Sequence, residues 1–266
     1  MDLLKVVKRD IIFNVCGEFS NSWFNTNLNN GKWEEETFNI YDYYANNDKI
    51  YIDIGAWIGP TVLYNANKYK KIYCFEPDPV ALDRLSQNIS VNDFNNIVII
   101  DKAISDKNGY SKFGGNGELG NSMSTLLVSL DNSDDFFNDY GRKNQWLSPE
   151  ERKKDIIEVK TITFETFIED YKINIDNIGL IKMDIEGGEY IVLPTILDFL
   201  KKYKPIFYIS LHAVFLSHNQ ILEIIDLLFT AYDNCYIFDD FIDKNPRLIS
   251  KKELIQMGYT SLVFTS

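Results

Sequence analysis

Three runs of this 266-residue chain carry side chains that could do chemistry, and each closes a stretch rich in β-formers. The first is Asp53-Ile-Gly55-Ala56-Trp57-Ile-Gly59, followed by Pro60. Glycine lets a backbone approach a ligand without a Cβ clash. Proline at a first helical position starts a helix whose free N–H groups point back at the turn, which suits a ligand carboxylate. Asp53, at the strand tip, can accept bonds from a ligand ammonium directly or through water. The second run is Phe75-Glu76-Pro77-Asp78. An acidic residue at the end of the second strand, about 20 residues beyond the glycine turn, can accept both hydroxyls of a ribose. The other reading of Glu76 is a solvated strand-end carboxylate. Taken together, the two runs specify an adenosine-type cofactor without saying which.

The third run is Ile181-Lys182-Met-Asp184-Ile-Glu186-Gly-Gly-Glu189. Period-two alternation places Lys182, Asp184 and Glu186 on one side at the carboxyl end of a strand, the edge where open α/β sheets bind ligands. His212 ends the next strand and should neighbour them as a proton acceptor near neutral pH. Against this stand a structural ion-pair cluster capping the sheet and a merely structural histidine. His218 reads as a loop residue.

NAD is the obvious competitor for the adenosine site. Its fingerprint is G-x-G-x-x-G, whereas only Gly55 and Gly59 are present here, and bulky Trp57 stands where a pyrophosphate would approach. That argues for a cofactor without pyrophosphate, as S-adenosylmethionine is.

The elements needed to position these runs follow from periodicity. Strands are expected over Lys49–Gly55, Lys71–Phe75 and Ile97–Ile100, with a helix from about Thr61 to Tyr69 between the first two. A second helix opens at Asp78-Pro79, an N-cap followed by proline. Strand, helix, strand, helix, strand implies right-handed βαβ units and a parallel sheet with helices on both faces. Asp106-Lys-Asn-Gly109 looks like a hairpin turn with Tyr110–Phe113 as second arm. Residues 114–155 lose alternation and read as an insertion or lid. Later strands are expected at Ile156–Phe164, Gly179–Ile185, Pro205–His212, Cys235–Phe238 and Thr260–Phe264, with helices after Glu189 and over Gln220–Thr230. Pro194 should kink or restart its helix. The expected organisation is an N-terminal arm or cap over residues 1–48 and one domain over 49–266. No internal repeat is visible.

Composition narrows the function classes. The 45% hydrophobic fraction is ordinary for a globular core, and a net charge of −12 disfavours a bulk grip on nucleic acid. Lys201, Lys202 and Lys204 read as a solvated helix end. The asparagines of Asn25–Asn30 look like compositional bias. Cys16, Cys74 and Cys235 form no CxxC pair, so neither a disulfide framework nor a zinc ribbon is expected. No stretch resembles a signal peptide or reaches membrane-spanning length. The expectation is a cytoplasmic protein without nucleic-acid or membrane partners; its oligomeric state is not legible.

The runs Tyr51–Ala56, Phe75–Asp78, Asn88, Ala103 and Ile181–Glu189 together resemble the FkbM family of methyltransferases, over about Lys49 to His212. The resemblance implies a Rossmann-like α/β class I methyltransferase fold: a mostly parallel seven-stranded sheet with helices on both faces and an antiparallel terminal strand. It also implies S-adenosylmethionine as methyl donor and O-methylation of sugars or related hydroxyls. By that likeness Asp53, Gly55 and Glu76 would be cofactor contacts, with Ala56, Gly59 and Pro77 beside them. Lys102 and Ala103 would lie near the adenine, and Asp184 would face the transfer site. Ser210 departs from the family's frequent acidic residue, Pro194-Thr195 replaces a glycine-containing segment, and residues 114–155 are longer than expected.

For the reaction, His212 is the first candidate base and Asp184 the second, with Lys182 stabilising negative charge. Alternatively, Asp184 and Glu186 hold Mg²⁺, which would lower the hydroxyl pKa directly. The acceptor is expected to be a small molecule or glycan. Trp33 is placed either to cover the methionine chain or the acceptor, or to anchor the arm. Ser122, Ser124 and Glu186 are candidate acceptor contacts, and Tyr140 and Trp146 offer stacking surfaces for a sugar ring. Two other readings are a nucleotide-dependent oxidoreductase and a non-catalytic partner that retains cofactor binding.

Overall fold

The computed structural model describes residues 2–31, 33–129, 149–238, 245–257 and 261–266. Its centre is an eight-stranded sheet. Strand β3 (Asn46–Ile54) lies between β4 (Tyr69–Phe75) and β9 (Ile178–Met183), with β5 (Ile97–Ile100) beyond β4 and β10 (Ile206–Ser210) beyond β9. All these neighbours run parallel. The far side is antiparallel: β13 (Ser261–Thr265) pairs with β10, β11 (Asn234–Ile237) with β13, and β12 (Arg247–Leu248) with β11. The parallel block with an antiparallel terminal strand is the arrangement that the resemblance implies. The expected seven strands become eight because the short β12 pairs on the edge of β11.

Strand side chains divide between the two faces with period two. Ile50, Ile52 and Ile54 point into one core with Ile181, Met183, Phe207 and Ile209. Helices α6 (Phe164–Asp170), α7 (Glu189–Tyr203) and α8 (His218–Ala231) cover that face through Phe167, Val192, Ile196, Ile225 and Leu228. Tyr51 points the other way, into a core with Ile72, Leu180, Tyr208 and Val263. That face is covered by α2 (Glu35–Tyr44), α3 (Pro60–Asn65) and α4 (Pro79–Ser90).

The residues before β3 share this second core. Strands β1 (Leu3–Lys8) and β2 (Ile11–Cys16) form a hairpin, followed by α1 (Glu18–Phe24) and a π-helical turn over Asn25–Asn29. Val6, Phe13, Val15, Phe24 and Leu28 are buried among the sheet residues. Asn88 bolts the arm down: its Oδ1 accepts from Cys16 N at 3.0 Å, and its Nδ2 donates to Ile58 O at 3.0 Å and Ser20 Oγ at 3.2 Å. Asn92 exchanges two 2.8 Å bonds with the backbone of Asn14. The asparagines of the π-helical turn also have structural work, since Asn29 Oδ1 accepts from Val7 N at 2.9 Å.

Several local expectations shift. Helix α3 stops at Asn65, and β4 begins at Tyr69, four residues later, so the expected helix to Tyr69 is too long. Phe164 starts α6 rather than ending a strand, because Thr163 caps that helix by accepting from Thr166 N. The hairpin expected around Asp106–Gly109 is absent. Strand β8 (Ile157–Ile162) lies between β6 (Ala103–Ile104), which it pairs in parallel, and β7 (Gly109–Phe113), which it pairs antiparallel. Helix α7 runs unbroken through Pro194, with Thr195 Oγ1 donating to Val192 O at 2.7 Å. His218 opens α8 rather than lying in a loop. A short helix, α5 (Pro149–Arg152), precedes β8, and α9 (Lys251–Met257) follows β12. Tyr140 and Trp146 lie outside the described residues.

Candidate active site

Three strand ends meet at the carboxyl edge of the sheet. Asp53 of β3 stands in register with Lys182 of β9 and Cys74 of β4. Beyond the strands the backbones remain joined: Gly55 N and Ala56 N donate to Phe75 O, Glu76 N to Ile100 O, and Asp184 N to Ile54 O. The approach leaves no room at Gly55, whose φ is +93° and where an added Cβ would stand 2.0 Å from Asp184 O. Only glycine fits.

One cleft opens on the Glu76 side of this junction. It encloses about 550 Å³, its mouth included, and is lined by Gly55, Trp57, Glu76, Pro77, Ala103, Ile104, Asn121, Ser122, Ser124 and Asp184. Glu76 is buried, and its two oxygens accept from Trp57 N at 2.7 Å and Asp78 N at 2.9 Å. Burial pushes its carboxyl up to about 8, against the pull of those two backbone N–H groups. Ser124 Oγ is buried and has no hydrogen-bond partner among the described residues. This cleft fits an adenosine moiety: an acidic group for the ribose, a hydroxyl still to be satisfied, and apolar Phe75, Ala103 and Ile104 around them.

Residues 114–129 form one wall. Asp78 caps α4 through Oδ1, as the Asp-Pro pair predicts, and its Oδ2 accepts from Gly120 N at 2.6 Å. Gly120 O in turn accepts from Trp57 Nε1 at 3.1 Å and Arg84 Nη1 at 2.9 Å. Gly59, at φ +94°, packs its backbone under Leu85 of α4 and does not line either cleft. Lys102 does not line them either, whereas Ala103 does.

The second cleft shares Gly55, Trp57, Ser122, Asp184 and Glu186 with the first and adds Trp23, Trp33, Glu34, Thr61, Lys182 and His212. Trp23 packs edge-on against Trp33 at 5.1 Å and Trp57 at 4.8 Å between ring centroids. Trp33 therefore both anchors the arm and lines the site. Ser122 touches both clefts, and Ser124 lies on the adenosine side alone.

Opposite the indoles is a charge cluster. Lys182 is buried, with Nζ 2.8 Å from Gly55 O, 3.1 Å from Asp53 Oδ1 and 3.4 Å from Asp184 Oδ2. Burial works against its charge, but Asp53 and Asp184 outweigh that and raise its pKa. Asp53 also accepts from the Thr61 hydroxyl. His212 Nε2 lies 3.2 Å from Asp184 Oδ1 and 3.6 Å from Glu186 Oε2, and Nδ1 lies 3.5 Å from Glu189 Oε1. Burial alone would lower the His212 pKa, yet Asp184, Glu189 and Glu186 raise it well above 6.5. Asp184 likewise resists burial: Lys182 and His212 hold it below the ordinary carboxylate range. Burial lifts Glu186 to about 8, aided by Asp184 and Glu189 and opposed by His212.

These pairings bear on the expected roles. With its pKa raised by the neighbouring Asp184, Glu189 and Glu186, His212 favours the imidazolium form, in which it would hold charge rather than accept a hydroxyl proton. Lys182 spends its donors on Asp53, Asp184 and Gly55 O rather than on an acceptor. Asp184, Glu186 and His212 do offer ligand atoms within 4.8 Å of one another. Lys182 already pairs with Asp184, and the imidazole of that set suits a softer metal than Mg²⁺, which takes oxygen ligands. The described residues therefore give Mg²⁺ no support. Several lining residues escaped the sequence reading, among them Trp23, Thr61, Ile104, Asn121 and Glu34, the last of which immediately follows Trp33.

Among the described residues, no helix is long and apolar enough to cross a membrane. An uncharacterized protein of Methanocaldococcus jannaschii is 38% identical over 63 residues, so this chain spans 24% of that relative's length with 24% of its own. The crystal structure of a methyltransferase FkbM from Methylobacillus flagellatus is similar with a TM-score of 0.46 at 14% identity, over 94% of this chain and 56% of that one. A putative methyltransferase from Streptococcus mutans, solved with SAH, gives 0.42 at 10% identity, over 87% and 98% of the two chains. The model of the methyltransferase FkbM domain matches residues 53–236, more than half of the sequence and all three motif runs. The chain belongs to the FkbM methyltransferase family.

Proposed function

We propose that this chain transfers a methyl group from S-adenosylmethionine to a hydroxyl of a sugar or glycosylated small molecule. The observation that carries the reading is the junction of the two clefts at Gly55 and Asp184, which joins an adenosine-shaped site to a tryptophan- and carboxylate-lined one. The donor is consumed as a co-substrate and supplies an electrophilic methyl on a sulfonium. Glu76 would hold its ribose hydroxyls, Ala103 and Ser124 would flank its adenine side, and Gly55 and Asp184 would line the passage of its methionine chain towards the second cleft.

The second cleft supports a sugar acceptor by its chemistry. Indoles pack against the apolar faces of sugar rings, and Glu34, Asp184 and Glu186 offer acceptors for hydroxyl hydrogens. Positioning does much of the work in such an in-line displacement. The protein acts without a membrane or nucleic-acid partner in this reading.

Calorimetric titration with S-adenosylhomocysteine, with NAD and NADP as controls, tests the donor site. Micromolar binding of S-adenosylhomocysteine alone, abolished in Glu76→Ala, is the expected result. Tritium transfer from methyl-labelled S-adenosylmethionine to a panel of methyl glycosides then tests the acceptor class. Preference for NAD would remove the methyltransferase reading, and binding without any transfer to glycosides would remove the sugar.

A further inference from the structure

The acceptor-side cleft contains one carboxylate that the ion-pair cluster leaves unused. Asp53 is closed off by Lys182 and Thr61, Asp184 is held between Lys182 and His212, and Glu189 accepts from Ile185 N at 2.8 Å. Glu186 faces His212. Glu34 enters the same cleft from the opposite wall, on the N-terminal arm, with the residue still open to solvent. Among the described residues no ion pair holds it. Its Oε2 accepts from the Thr37 hydroxyl at 3.3 Å, and that hydroxyl lies 2.7 Å from the buried Tyr208 hydroxyl.

The backbone at Glu34 is left-handed, with φ +41°, at the N-cap of α2. Such a conformation is disfavoured for a non-glycine residue, and retained strain of this kind clusters at functional sites. Two further left-handed non-glycine residues, Trp57 at +49° and Glu186 at +54°, line the same cleft.

We infer that Glu34 takes the proton from the acceptor hydroxyl during methyl transfer, an assignment that rests on the methyltransferase reading above. The acceptor oxygen forms its bond to the methyl carbon as the carbon–sulfur bond breaks. That electron pair stays on sulfur, giving S-adenosylhomocysteine. The hydroxyl proton passes to a carboxylate oxygen of Glu34, which returns it to water once product leaves.

The electrostatics suit this role. Glu34 is exposed as a residue, but its carboxyl sits in the cleft. There partial withdrawal from water and then the Asp184 charge push it up to about 7, opposed by Lys182, Thr37 and His212 and screened by the solvent it still meets. A base poised near the working pH combines an available carboxylate with a useful proton affinity. Facing it, Asp184 is held ionised and Lys182 and His212 are held protonated, while Tyr208, behind Thr37, is raised well above 10. Glu186 alone shares the neutral range, at about 8, so it needs its own control.

The test uses the full chain as its S-adenosylhomocysteine complex. NMR titration of isotope-labelled glutamate carboxyls, assigned with Glu34→Gln, should show Glu34 titrating near 7; a value near 4.5 overturns the assignment. With methyl glycosides as acceptor probes, Glu34→Gln should lower kcat by about 10²–10⁴-fold and remove the rise in kcat through pH 7. Glu186→Gln should keep that rise. Unchanged kcat, or a loss confined to KM, would overturn the base role, and where no glycoside is turned over the NMR titration decides. Calorimetry separates the two failures. Wild-type protein that does not bind S-adenosylhomocysteine sinks the methyltransferase reading, whereas normal binding with normal Glu34→Gln turnover removes only the base.

Discussion

The Lys182 ammonium sits 2.8 Å from the carbonyl oxygen of Gly55, so one buried cation ties the tip of β9 to the glycine turn after β3. The same nitrogen neutralises Asp53 and Asp184. Removing it leaves two buried or half-buried carboxylates without their counter-charge. Breaking a buried pair from one side costs about 3–5 kcal/mol. Lys182→Met should therefore lower stability by about that amount in urea unfolding, before any effect on turnover is considered. Full stability with lost turnover would instead restore the charge-stabilising role that the motif suggests.

If Glu76 holds the ribose as proposed, affinity for the donor should depend on pH. Its carboxyl, raised to about 8 by burial, must ionise to accept both ribose hydroxyls. Protonation competes with binding, so affinity for S-adenosylhomocysteine should weaken about tenfold per pH unit below 8 and level off above it. Calorimetry between pH 6 and 9 measures this, and Glu76→Gln should flatten the profile. A flat wild-type profile would mean that the carboxyl is already ionised throughout.

His212 should stabilise the fold most in acid. Its folded-state pKa is raised well above the 6.5 of a free imidazole, because its bonds and charges from Asp184, Glu189 and Glu186 outweigh burial. Its contribution is complete below about 6.5 and is lost as pH rises through the folded value. The stability difference between wild type and His212→Gln should therefore shrink on going from pH 6 to pH 10 in urea unfolding. A difference that grows with pH contradicts the imidazolium assignment.

Chelation distinguishes the carboxylate–histidine cluster from a metal centre. Because Lys182 and His212 already pair with Asp184, and His212 faces Glu186, turnover should be unchanged by EDTA or added Mg²⁺. Loss of activity in EDTA, restored by one divalent ion, would show that a cation displaces these pairings.

Asn88 is the expected weak point of the arm. Asn88→Ala orphans Cys16 N and Ile58 O, at about 1–3 kcal/mol for each buried group left unpaired. Hydrogen exchange should speed up over residues 2–31. The Trp23–Trp33–Trp57 cluster should shift its fluorescence as the arm loosens, while residues deep in β3 keep their protection.

Much of the donor half was legible because its logic is local. Asp53, Gly55 and Glu76 declare themselves by lying at strand ends at a fixed spacing, and Asp78-Pro79 announces a helix start that the structure reproduces. The acceptor half depends on distant pairings that no window of sequence contains. Glu34 and Trp23 matter because Asn88 and the hairpin β1–β2 hold the arm against α4, and β8 separates β6 from β7 by a long-range register. Protonation states were hidden for the same reason. A histidine at a strand end reads as a base, and only the fold brings the carboxyl groups of Asp184, Glu186 and Glu189 around it.

The first cleft is built wholly from residues 54–186, inside the span of the family model, whereas Trp23, Trp33 and Glu34 reach the second from outside it. Docked on Asn88 and Asn92, the arm therefore shapes the second cleft directly and reaches the first only through Trp57, against which Trp23 packs.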